Sequence, residues 1–200
     1  MSEKKILVAF FSRADENYNV GYIKKGNTQI IAEMIAAETG GTLFHIEPVT
    51  PYPAGYDECI EVAKKELNAN ARPEIKGDVS VEDYDVVFLG YPNWWGDMPM
   101  ILYSFFDEYD FSGKTIIPFN THGGSGFSGT ISTIKELEPN AEVLDGKSIS
   151  RNDIQDAEQE IVDWVNSLDL KQAEEQPDSS AEAQQPTMGR FLYLCRFGYE

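Results

Sequence analysis

Apolar runs and helical stripes alternate along the chain. Ile6 to Phe11 is a continuous apolar run of strand length, and Ile30, Ile31, Met34 and Ile35 then recur on one helix face. Leu43 to Ile46 predicts a second strand, followed by a helix carrying Tyr56, Ile60, Ala63 and Leu67. Val86 to Leu89 predicts a third strand, with Met98, Ile101, Leu102, Phe105 and Tyr109 as the stripe after it. Thr115 to Phe119 predicts a fourth, followed by a helix with Phe127, Ile131 and Ile134, and Ala141 to Leu144 a weaker fifth. The last helix carries Ile154, Ala157, Ile161, Trp164, Val165 and Leu168, opened by a capping box of Asn152 with Gln155. Strands that alternate with helices and are apolar on both faces describe a doubly wound α/β domain over residues 1–170, a parallel sheet covered on both sides. Pro118 has no N–H to give a ladder, so a bulge or an early strand end is expected there.

Residues 171–186 contain Glu, Gln, Ala, Ser and Pro but no large apolar side chain, a composition that cannot build a core and reads as a disordered linker. Residues 188–200 turn aromatic and weakly basic, with Phe191, Tyr193, Phe197 and Tyr199 between Arg190 and Arg196. Their role is either a docking segment for a partner or an accidental extension. The first apolar run is too short for a signal peptide and no run reaches membrane-span length, so a cytoplasmic protein without a membrane partner is expected. Cys59 and Cys195 are the two cysteines, too few for a zinc cluster or a disulfide framework. A net charge of −18 argues against nucleic acid, whose phosphates need clustered cations, and favours basic protein partners.

In doubly wound sheets ligands sit beyond the carboxyl ends of the strands, so three loops matter. The first, residues 12–28, ends in Gly26-Asn27-Thr28 ahead of a helix, where backbone N–H groups, a hydroxyl and the positive helix end suit a phosphate. An ordinary helix cap explains the same residues. Gly21 to Thr28 has P-loop spacing, but Asn27 stands where the nucleotide-binding lysine belongs and the segment does not follow its strand directly, which argues against an NTPase. The second loop, Tyr91-Pro92-Asn93-Trp94-Trp95-Gly96, places two adjacent indoles in a turn, an expensive patch unless something flat covers it. The third, Thr121-His122-Gly123-Gly124-Ser125-Gly126, brings the backbone close to a ligand. Its G-x-G-x-x-G match over Gly124, Gly126 and Gly129 is in the fourth βα unit rather than the first, and G-x-S-x-G fails at Thr130. His45 and His122 are the two histidines, and His45 falls inside a strand, so a serine hydrolase is not supported.

Together the strand ending Phe10-Phe11-Ser12, the Gly26-Asn27-Thr28 helix start, the Tyr91 to Gly96 loop and the Thr121 to Gly126 loop resemble the flavodoxin family over about residues 4–168. The resemblance implies a flavodoxin-like three-layer sandwich, a five-stranded parallel sheet of order 2-1-3-4-5 with helices on both faces, holding FMN non-covalently. It implies that Ser12, Gly26, Asn27 and Thr28 form the phosphate site. Pro92, Asn93, Trp94, Trp95 and Gly96 would run along the isoalloxazine with one indole stacked on it, and Thr121, His122, Gly123, Gly124 and Gly126 would flank its other side. The family's phosphate loop is a compact turn, whereas Arg13 to Lys25 are inserted here, resembling the long-loop flavodoxin-like proteins of bacteria.

The function implied is that of a low-potential electron carrier, a monomer exchanging electrons with a basic reductase and a basic acceptor protein. Its acidic surface would disfavour the reduced, anionic flavin and steer the partners in. The alternative is an FMN-dependent reductase of quinones or similar acceptors, driven by NAD(P)H. It needs cations for the nucleotide's phosphates, and the three loops offer His122 and Arg13.

Overall fold

Alternation along the central strands builds two cores at once. In β1 (Ile6–Phe10) Leu7 and Ala9 point to one face and Val8 and Phe10 to the other, all buried. The same division runs through β3 (Val86–Pro92) and β4 (Thr115–His122), which is why these strands read as continuous apolar runs. The computed structural model describes residues 4–168 and Leu170, and the linker and aromatic tail expected at 171–200 lie outside the described residues. With β2 (Thr42–His45) and β5 (Lys147–Ser150) the parallel sheet has the order β5-β4-β3-β1-β2, the expected 2-1-3-4-5. Helices α1 (Asn27–Thr39) and α5 (Glu158–Ser167) cover the Val8 face, and α3 (Met100–Glu108) and α4 (Thr130–Leu137) the Leu7 face, with α2 (Tyr56–Ala69) beside α3. Among the described residues no helix is long and apolar enough to cross a membrane.

Three details differ from the expectation. Pro118 causes neither bulge nor ending, because β4 runs straight to His122 and Pro118 pairs in register with Leu89. Thr115 donates to Asp85 on the β3 side, whereas the Ile116 carbonyl accepts from Leu144 on the outer side. Alternation therefore turns Pro118 outward, where the outer strand is interrupted between Val143 and Lys147 and a missing donor is tolerated. The fifth strand correspondingly comes in two pieces. Glu142–Val143 pairs with Thr115 and Ile116, and β5 takes over from Phe119 to His122. β5 escapes hydrophobic patterning because, as an edge strand, it buries only Ile149. Finally, Asn152 and Gln155 form no capping box. Ile154–Asp156 is a 3₁₀ turn and α5 starts at Glu158 behind Ala157, with Glu158 and Glu160 facing the positive helix end.

Where β3 reaches the cleft, its backbone passes under the Phe119 ring. A Cβ on Gly90 would lie 2.2 Å from Phe119 Cζ, and Phe119 is wholly buried. Gly90→Ala should therefore cost about 1–3 kcal/mol of unfolding free energy in urea titrations, the usual scale of overpacking. An unchanged midpoint would show that the Phe119 ring has room to move.

Candidate functional site

The three loops converge on a cleft of about 280 Å³ at the carboxyl ends of β1, β3 and β4. Ser12, Asn27, Thr28, Pro92, Asn93, Trp94, Trp95, Thr121, His122 and Gly123 line it, whereas Gly26, Gly96, Gly124 and Gly126 shape the loops behind it. A Cβ on Gly26 would meet Ser12 Oγ at 2.2 Å and the Arg13 carbonyl at 2.5 Å, so glycine here permits a close approach. That approach lets Ser12 Oγ accept from Gln29 N at 3.1 Å and cap α1, which has no side-chain cap of its own. The N–H groups of Asn27 and Thr28 precede any intrahelical acceptor, and both residues line the cleft. Thr28 is buried, its hydroxyl 2.9 Å from that of Thr121, and the first turn of α1 carries no acidic residue. This end of the cleft suits an anion.

The opposite wall is aromatic. Trp94 packs edge-on against Phe11 at 5.3 Å and Tyr52 at 5.1 Å. Behind it Tyr52 donates to Glu66 at 2.6 Å, and burial pushes the Tyr52 hydroxyl and the Glu66 carboxyl both upward from their usual values. Trp95 is 52% exposed and lies along α2, with Lys64 Nζ 4.7 Å from its ring centre. The backbone explains how two adjacent indoles end up in different places. Trp94 and Asp97 exchange backbone hydrogen bonds at 2.9 and 3.1 Å around a two-residue turn, in which Trp95 at φ 57° and Gly96 at φ 80° are both left-handed. Such a turn prefers Asn-Gly, and a bulky side chain at its first position is strained.

The amide of Asn93, expected to touch a ligand, is largely occupied in bracing the loops. Its Nδ2 donates to the Gly126 carbonyl and to Ser128 Oγ, both at 2.9 Å, and its Oδ1 accepts from Gly96 N at 3.0 Å. Asn120, buried and absent from the sequence expectation, donates to the same Gly126 carbonyl at 2.8 Å and accepts from Ser148 Oγ at 2.6 Å. His122 Nδ1 accepts from Gly124 N at 2.9 Å, which places its proton on Nε2. Burial lowers the His122 pKa, against the pull of Asp153. His45 is structural, stacked on Phe10 at 4.7 Å.

The inserted segment is a folded piece. Asp15–Asn17 and Gly21–Ile23 form an antiparallel hairpin, and Asn17 and Tyr18 from it line the cleft. The guanidinium of Arg13 ties its base to the start of α2, donating to the carbonyls of Pro53 and Ala54 at 2.6 Å and to that of Glu16. Glu16 Oε2 accepts from Tyr56 N at 2.8 Å. Arg13 is thus a clamp between loops. Patterning also missed the α2 wall, Tyr56, Cys59, Ile60 and Ala63, and Arg151 just beyond β5. The one available signal was the α2 stripe itself, read as core.

Two outcomes follow from this geometry. Trp95→Asn should raise the unfolding free energy by about 1 kcal/mol through relief of the left-handed backbone, whereas Trp94→Ala should lower it by about 3 kcal/mol; denaturant titration of both reads the opposite signs. For His122, a folded-state pKa below the unfolded value means that the unfolded chain takes up the proton first. Its contribution is complete above pH of about 6.5 and is lost as pH falls through the folded value. The Gly124 amide should accordingly lose hydrogen-exchange protection on acidification, and in His122→Gln that pH dependence should vanish.

Comparison with known proteins agrees with this architecture. A flavoprotein structure from Bacteroides eggerthii DSM 20697 is 31% identical, with a TM-score of 0.66 over 82% of this chain and 97% of that one. One from Bacteroides uniformis ATCC 8492 is 25% identical, with a TM-score of 0.67 over 82% and 99%. At 20% identity, a flavoprotein in complex with FMN from Lactobacillus acidophilus NCFM shares the fold, with a TM-score of 0.58 over 76% and 97%. No curated protein matches the chain. The model of the family described as Flavodoxin matches residues 5–168, the same span that carries the sheet, its helices and all three cleft loops, and the chain belongs to the flavodoxin family.

Proposed function

We propose that this chain binds FMN in the cleft and carries electrons between a reductase and an acceptor protein. The observation that carries the first half is the pairing of an acid-free helix start, with Asn27 and Thr28 lining the cleft, and an aromatic wall. The orphan N–H groups and the Thr28 hydroxyl would hold the phosphate, with the helix dipole adding to their pull. Trp94 or Trp95 would lie along the ring system and the Thr121 to Gly123 backbone would flank it, since all of them line the cleft. The bound flavin supplies the redox chemistry, taking up and releasing electrons. The protein's part is to orient it, exclude water and set the field around it. Non-covalent binding is consistent with Cys59, which is buried and whose thiol burial pushes upward, away from a reactive thiolate.

The carrier role is supported by the −18 charge, which opposes adding negative charge to the flavin and attracts basic partner proteins. An NAD(P)H-dependent reductase is the competing reading, and Arg151 at the cleft mouth is the one feature that favours it beyond the loops themselves. Arg151 is engaged with Tyr18, however, its Nη1 donating to the Tyr18 carbonyl at 3.1 Å. Stopped-flow reduction discriminates the two. A carrier should react slowly with NADH or NADPH alone and quickly through a flavoprotein reductase, with a rate that falls as salt screens the steering field. Fast, saturable reduction by a nicotinamide nucleotide alone would select the reductase.

For the phosphate site the sharp variant is Asn27→Asp. A carboxylate at the helix start is favourable to α1, so the fold should be kept or slightly stabilised. Against a bound phosphate it is a like charge at close range, and FMN affinity should fall on the order of 100-fold while riboflavin affinity changes little. Titration of quenched flavin fluorescence measures both. Equal losses for the two ligands would put the phosphate elsewhere.

A further inference from the structure

We propose that Tyr18 and Arg151 decide which flavin the cleft accepts, by closing the inserted hairpin over its phosphate end so that a mononucleotide fits and a dinucleotide does not. The inference rests on the flavin reading above.

Tyr18 of the hairpin touches two separate elements. Its ring packs on Tyr56, which follows the edge strand β2, with centroids 5.7 Å apart and planes at 33°. The guanidinium of Arg151, which follows the opposite edge strand β5, stands 4.6 Å over the same ring. Tyr56 and Arg151 are thus brought to one ring, and all three residues line the cleft. The hydrogen bond from Arg151 to the Tyr18 carbonyl makes a second attachment at the same residue. The floor of the clasp is tight as well, since a Cβ on Gly123 would meet Arg151 Nη1 at 3.2 Å.

The position of the strap fixes what it can exclude. It departs from Ser12, which caps α1, and returns to Gly26, the residue before that helix, so its base stands at the anion end of the cleft. A flavin held with its phosphate at Asn27 and Thr28 stops there. An adenylate attached to that phosphate would have to pass through the hairpin or displace the Tyr18 contacts. The cleft volume of about 280 Å³ is just below the range of small-molecule sites, about 300 to 1,000 Å³.

The clasp uses the face and the backbone carbonyl of Tyr18, and neither contact needs the phenol hydroxyl, which separates the variants. Arg151→Gln and Tyr18→Ser should each release FMN about tenfold faster in stopped-flow dissociation, as expected for loss of a cation–π contact. Both should bind FAD at least tenfold more tightly than the wild type does. Tyr18→Phe should behave as wild type in both measurements. Apoprotein melting temperatures should stay within about 2 °C across the set. A parallel fall of melting temperature, FMN affinity and FAD affinity would mark a merely structural role and overturn the proposal. Unchanged FMN release and FAD exclusion in Arg151→Gln and Tyr18→Ser would overturn it too. A wild-type protein that takes FAD as readily as FMN sinks the clasp and leaves the flavin reading standing; one that binds no flavin removes both.

Discussion

Thr121 joins the three loops, and the site depends on that junction. Its hydroxyl shares a 2.9 Å bond with the hydroxyl of Thr28 at the start of α1, and its carbonyl accepts from Asn93 N at 2.8 Å at the start of the indole turn. Both threonines are buried, so an unmade bond would leave a polar group without water and cost about 1–3 kcal/mol. The pairing therefore sets how far the anion end of the cleft stands from its aromatic wall. It is possible because β1, β3 and β4 are adjacent and end together, which brings loops distant in sequence within one hydrogen bond.

Around that junction the loops are held by side-chain amides and a guanidinium, and much of the strain is local. Of the non-glycine residues at positive φ, Asp15 and Asn19 are in the hairpin, Trp95 in the indole turn and Ser128 just after the glycine loop, with Asn70 ending α2 as the exception. Asp and Asn tolerate that conformation, but tryptophan does so at a cost of about 1–3 kcal/mol. The bracing by Asn93, Asn120 and Ser148 through the Gly126 carbonyl offsets it. An unfavourable turn that presents an exposed indole to a cleft is expected where binding, and not folding, selects the residue.

What the sequence made legible was local. The parallel sheet and the three loops follow from apolar runs, turn residues and their order along the chain, since each needs only a few neighbouring positions to declare itself, whereas the strand order came with the family resemblance. Asn27, Thr28, the Trp94-Trp95 pair and the loop of Thr121 were readable for that reason, and Ser12 through the resemblance. The hairpin was not, because Asp15-Glu16-Asn17 and Gly21-Tyr22-Ile23 are largely exposed and lack the alternation of a half-buried strand. β5 hid behind a single buried isoleucine. Arg13 and Arg151 are a different case. Each is an ordinary surface-type residue in sequence, and its role is defined by carbonyls or rings 40 and 133 positions away, for which a single sequence has no signature.

The electrostatics of the cleft then run against those of the whole chain. The protein carries −18, yet Arg13 and Arg151 both line the cavity, Lys64 stands over Trp95, and α1 begins without a carboxylate. The Nη groups of Arg13 are committed to backbone carbonyls, whereas its buried Nε has no partner among the described residues. A local positive interior inside a negative exterior separates two tasks. The exterior field acts beyond contact, over a Debye length of about 8 Å, and selects which macromolecules approach. The interior cations act at hydrogen-bond range, where the low dielectric strengthens them, which is the range at which an anion in the cleft would be held.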